Sequence, residues 1–164
     1  PTSVPQWSGP ETSQAAIDAI IAPIIAPATE LYKADVGNAT NPNTVESGPF
    51  AANYATTFDN DPLDPSDALI THTGGAFISS ANVFLLVKGG GPPFLDPLWY
   101  LFDISGWNGT ESIFIEDFWP GNGAISHVTL YGDQSTRVPD AGTSVLLLGA
   151  GLLGIGALRR RLAK

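Results

Sequence analysis

Glycine and proline interrupt the middle of this chain at short intervals, and that punctuation restricts it to short elements. With 18 Gly and 14 Pro among 164 residues, long helices between residues 29 and 132 are disfavoured. Each proline removes a backbone donor, and each glycine costs helix stability. Between the breaks lie β-branched, aromatic and alternating runs. They are TELYKADV from residue 29, ANYATTFD from 52, DALITHT from 67, NVFLLVK from 82, WYLFDIS from 99, SIFIEDF from 112 and ISHVTLYG from 125. Turn-forming stretches such as GGGPP, GWNGT and PGNG separate them. Short strands at such spacing predict a mainly β body, an antiparallel β-sandwich of jelly-roll-like type.

The N-terminal segment differs in period. After the extended lead PTSVPQWSG, residues Ile17, Ile20, Ile21, Ile24 and Ile25 recur at helical spacing. Pro10 suits a first turn, and Pro23 is expected to kink or end the helix. Such a helix either packs on the body or docks a partner, including a second copy of the chain. It carries Asp18 and no Lys or Arg, so it lacks the basic face of a membrane-surface helix.

Charge divides the chain again. Residues 1–137 hold 15 acidic residues against Lys33, Lys88 and Arg137, whereas 138–164 hold Asp140 against Arg159, Arg160, Arg161 and Lys164. An acidic body without a basic stripe repels phosphates, which argues against nucleic-acid binding. The absence of cysteine excludes disulfides, thiolate metal sites and a Cys nucleophile.

Between Asp140 and Arg159 run 18 uncharged residues, AGTSVLLLGAGLLGIGAL. As a helix they would extend about 27 Å, close to the roughly 30 Å of a hydrocarbon core. The arginines that follow act as a stop signal and stay on the cytoplasmic side, which places the body across the membrane. Three domains are therefore expected: 1–28, the lead and amphipathic helix; 29–137, the β-sandwich body; and 138–164, the tail with its single transmembrane-type helix.

The order Val138-Pro139-Asp140, small residues 141–144, apolar helix and Arg159-Arg160-Arg161 resembles the PEP-CTERM sorting signal of exported proteins in Gram-negative bacteria, in its VPD-type variant. The body stretches ATTFDNDPLDPSDALITHTGG and PLWYLFDISGWNGTESIFIEDFWPGNGAISHVTLYG are similar to exported proteins of that kind with a small β-sandwich body. The resemblance implies an exosortase partner that cuts near Val138, Pro139 and Asp140. It also implies an inner-membrane intermediate and delivery to the cell surface or outside the cell.

Candidate sites in the body are few. Asp59, Asp61, Asp64 and Asp67 crowd a proline-bounded loop. They suit either calcium, which takes several carboxylate and carbonyl oxygens, or a turn whose Asp side chains accept local backbone N–H groups. Alternation along WYLFDIS puts Tyr100 and Phe102 on the core side, leaving Trp99, with Trp107 beyond it, as surface candidates for stacking on glycans. Core packing is the competing role for both. His72 and His127 form a metal pair only if their strands are neighbours, and Ser126 and His127 point to opposite strand faces. No nucleophile, phosphate-loop or dinucleotide motif is present.

The expectation is a non-enzymatic exported protein. It would be a structural or adhesive component of exopolysaccharide-associated biofilm, bound to the polymer or assembled with itself. Alternatives are a single-span accessory subunit of a membrane complex, with Ala150 and Gly154 as a close helix contact, and a carbohydrate-binding module.

Overall fold

The computed structural model describes residues 4–38, 40–59, 65–90, 96–119 and 123–133. Nine strands and one helix occupy them, in the order β1 (Trp7–Gly9), α1 (Gln14–Ile25), β2 (Thr29–Asp35), β3 (Val45–Ser47), β4 (Tyr54–Phe58), β5 (Ala68–His72), β6 (Val83–Gly89), β7 (Trp99–Asp103), β8 (Ile113–Ile115) and β9 (Ile125–Gly132). Each segment expected as a strand contains one. The two missed strands, β1 and β3, have three residues each and both lie at edges. Runs that short carry too little alternation to be recognised.

Two antiparallel sheets form, a six-stranded one in the order β1-β7-β6-β9-β2-β3 and a three-stranded one in the order β4-β5-β8. They share one core. Leu85 and Val87 of β6, Phe102 of β7 and Val128 and Leu130 of β9 meet Tyr54 and Phe58 of β4, Ile70 of β5 and Ile115 of β8. A hydrogen-bonded link crosses between the sheets. The Tyr32 hydroxyl lies 2.7 Å from Thr56 Oγ1 and donates to Glu46 Oε1 at 3.0 Å, and Glu46 Oε1 also accepts Thr56 N–H at 2.8 Å. Burial of the ring raises the Tyr32 phenol above its ordinary range, so it stays neutral.

Two bulges adjust which side chains reach this core. In β2 the pairing with β9 shifts between Glu30 and Tyr32, and Leu31 and Tyr32 are both buried in the core. In β9, Lys88 pairs with His127 and Gly89 with Ile125, so Ser126 is the extra residue. A bulge spends one residue without a partner and resets the alternation. Ile125 and Val128 thereby face the same core, although three positions apart.

The opposite face of the large sheet is also apolar, and α1 covers it. Ile17, Ile21 and Ile25 pack with Phe84, Leu86, Trp99, Leu101 and Tyr131 in a second cluster. The helix is capped by Ser13, whose hydroxyl accepts the Ala16 N–H at 3.3 Å. Helix formation therefore starts after Pro10, not at it. Pro23 sits inside the last turn without ending the helix, which runs on to Ile25. The buried stripe is narrower than the five isoleucines predict, because Ile20 is 40% exposed. The N-terminal segment is accordingly built into the body: β1 pairs with β7, and α1 roofs the sheet. The isoleucine face is consumed there and is not free to dock a partner.

Two substitutions separate these roles. Ile21→Ala, at 1% exposure, should cost about 2–5 kcal/mol of unfolding free energy. Ile20→Ala should stay within about 0.5 kcal/mol of the parent. Denaturant unfolding checks both; equal, small losses would show that α1 does not bury a core face.

Candidate functional site

The sheet face under α1 turns polar at one end. Register places Trp99 of β7, Lys88 of β6, His127 of β9 and Asp35 of β2 side by side across four strands. The next row holds Leu101, Leu86, Thr129 and Lys33. The helix covers the apolar members, and Lys33, Asp35 and Lys88 remain partly open to solvent. Lys33 Nζ meets Asp35 Oδ1 at 2.7 Å, and His127 Nδ1 lies 3.7 Å from the same oxygen. Lys88 Nζ donates to the carbonyl of its neighbour Gly89 at 3.2 Å.

His127 is 5% exposed, and its Nε2 is buried without a hydrogen-bond partner. Burial lowers its pKa to about 4, and the nearby Lys33 and Lys88 act in the same direction against the attraction of Asp35. Burial also lowers the Lys88 ammonium from its ordinary range, with repulsion from Lys33 second. Lys33 and His127 thus share the Asp35 carboxylate, and Lys88 lies in the same row as His127 without a carboxylate of its own among the described residues. This grouping was invisible in the sequence, where Lys33, Lys88 and His127 are far apart. Only the strand order β6-β9-β2 joins them.

The expected sites fare differently. Trp99 is a correction: it is 1% exposed and lies under α1. Alternation assigned it correctly to the face opposite Phe102, but that face is roofed. Its indole N–H donates to Glu11 Oε2 at 2.7 Å, and Gly9 lets both approach, since a Cβ there would overlap them. Trp99 is therefore not available to stack on a glycan. Trp107 is half-buried, its ring centroid 5.9 Å from that of Tyr54 and its N–H donated to the Glu111 carbonyl at 2.7 Å. The exposed aromatics among the described residues are instead Phe114, 70% accessible on the edge strand β8, and Trp7, 37% accessible on the edge strand β1.

His72 belongs to β5 of the small sheet and packs on Tyr54, whereas His127 lies in β9 of the large sheet, so the two are not brought together as a metal pair. In the acidic loop, Asp59 Oδ1 accepts the Asp67 N–H and Asp67 Oδ1 accepts the Asp117 N–H, both at 2.8 Å. These bonds tie the β4–β5 connection to the turn after β8. Asp61 and Asp64 lie outside the described residues. Among the described residues no group of three or more His, Asp or Glu is placed to hold a metal ion.

Val138, Pro139, Asp140, Arg159, Arg160 and Arg161 also lie outside the described residues, as does the apolar segment between them. Among the described residues no helix is long and apolar enough to cross a membrane. Residues 137–162 match the family model described as the VPDSG-CTERM motif. This stretch is a PEP-CTERM-like sorting signal, consistent with export, a membrane-passing intermediate and processing by an exosortase. Comparison with curated proteins and with solved structures finds no match.

The buried histidine has a measurable consequence. A folded pKa of about 4 against an ordinary 6.5 means that protonation favours the unfolded chain. This contribution to stability is intact above about pH 6.5 and is lost as pH falls toward 4. Between pH 7 and 4.5 the parent should lose roughly 2 kcal/mol more unfolding free energy than His127→Gln. Parallel pH profiles for the two proteins would contradict the burial of a neutral His127.

Proposed function

We propose that this chain is a non-catalytic exported protein whose β-sandwich body is the cargo and whose last 27 residues, 138–164, are its address. The observation that carries the reading is the sorting-signal match at residues 137–162. The tail helix would hold the protein in the inner membrane with the arginines on the cytoplasmic side. An exosortase would then cut near Val138–Asp140 and release the body toward the cell surface or matrix. There the body acts as a structural or adhesive component of an exopolysaccharide-associated biofilm.

Two features of the body support a structural role over catalysis. Its histidines sit apart in different sheets, and among the described residues His127 Nε2 has no hydrogen-bond partner, Ser126 included. Phe114 on an edge strand gives an exposed apolar contact suited to self-association or adhesion.

Intact-mass measurement of the protein made in an exosortase-bearing host tests the address. The mature species should end near residues 138–140, and replacement of Arg159, Arg160 and Arg161 by alanine should leave the tail uncut. A parent protein that keeps residues 141–164 would overturn the reading and make the tail a permanent anchor.

A further inference from the structure

We infer that the polar end of the six-stranded sheet is a binding site for an oxyanion, the carboxylate, sulfate or phosphate group of an acidic ligand, held by Lys33, Lys88 and His127. The inference concerns the body alone and does not depend on how the tail is handled.

The first support is placement. Among the described residues Lys33 and Lys88 are the only Lys or Arg side chains, on a chain of net charge −9. Scattered surface lysines would not be expected on one face, separated by a single strand. Here β2 and β6 flank β9 and present both lysines on the side of His127. The second support is unmet demand. Asp35 is committed to Lys33 at 2.7 Å, and among the described residues Lys88 has no carboxylate partner. The two ammonium groups repel each other across a partly buried surface, and both destabilise a charge on the imidazole. An anion would relieve all three interactions at once, whereas a metal cation would add to the repulsion.

The third support is the orphaned nitrogen. A buried polar atom without a partner loses its hydration and gains nothing in return, which is destabilising. His127 Nε2 is such an atom, on a side chain 6% exposed. The other ring nitrogen faces Asp35, so Nε2 is the one left for a ligand. On the imidazolium, which keeps its Nδ1–H toward Asp35, a ligand oxygen accepting from Nε2–H would satisfy it, and Lys88 is the cross-strand neighbour of His127 on the side away from Asp35. The bound anion also stabilises the imidazolium, so binding should strengthen as pH falls from 7 to 5. Asp35, Lys33 and Lys88 are the charged groups facing the ring from the strands on either side.

The chain in a non-ionic detergent, in a buffer free of polyvalent anions, provides the test. Imidazole ¹H–¹⁵N correlation spectra would be followed on adding acetate, glucuronate, sulfate or inorganic phosphate. His127 should shift saturably while His72 stays put. Tighter binding of the two carboxylates would assign an acidic sugar or peptide; tighter binding of phosphate or sulfate would assign an ester group. Lys88→Gln should weaken the preferred anion at least tenfold with its amide spectrum preserved, and Lys33→Gln serves as the second variant. Absence of any saturable His127 shift would overturn the site. Unchanged affinity in both folded lysine variants would overturn it as well.

Discussion

A strand that is apolar on both faces must be covered twice, and β6 is such a strand. Val83, Leu85 and Val87 point to one side of the sheet, and Phe84 and Leu86 to the other. β9 beside it is nearly as apolar, with Val128 and Leu130 on one side and Tyr131 on the other. Each of these side chains gains about 1.5–3 kcal/mol only if it is taken out of water. A single sheet in water would forfeit half of that. The small sheet closes one side and α1 the other, and both covers follow from the five-residue run VFLLV. The pairing β1–β7 and the Ser13 cap hold the helix where that second face needs it.

The roof is shorter than the sheet it covers. Twelve helical residues span about 18 Å, and the three buried isoleucines reach Trp99, Leu101, Leu86, Phe84 and Tyr131. Where the apolar cover stops, the same face must be finished with polar groups, and there Lys33, Asp35, Lys88 and His127 lie. The bulge at Ser126 sits next to this boundary. By spending a residue there, β9 keeps Ile125 and Val128 in the core while His127 faces the lysines.

Much of the fold was legible because its strands are bounded by turn chemistry and carry β-branched or aromatic side chains. NVFLLVK, WYLFDIS and ISHVTLYG each became a strand within a residue or two of the expected limits. What alternation could not supply was the identity of the cover. It separated Trp99 from Tyr100 correctly but could not say that a helix lay over Trp99. The five isoleucines announced a helix, but only packing showed that Ile20 is left outside. The polar row was illegible for a different reason. Its members come from three strands joined by an order, β6-β9-β2, that places the last strand between two earlier ones. No local pattern encodes that insertion.

Address and cargo are physically separate in this account. The last strand of the body ends at Gly132 in the middle of the large sheet, and the Asp133 N–H is tied back to Ser80 Oγ at 2.9 Å. The matched signal begins at residue 137. The apolar side chains on both faces of β6 and β9 are therefore covered before the signal starts, so removing the signal should leave the body folded. Amide hydrogen exchange on the chain ended at residue 137, set beside the 164-residue chain, tests this most directly. β6 and β9 should be the most protected strands in both, with exchange rates that agree. Loss of protection in β9 on removing the tail would contradict it, by showing that the tail is part of the fold and not only its address.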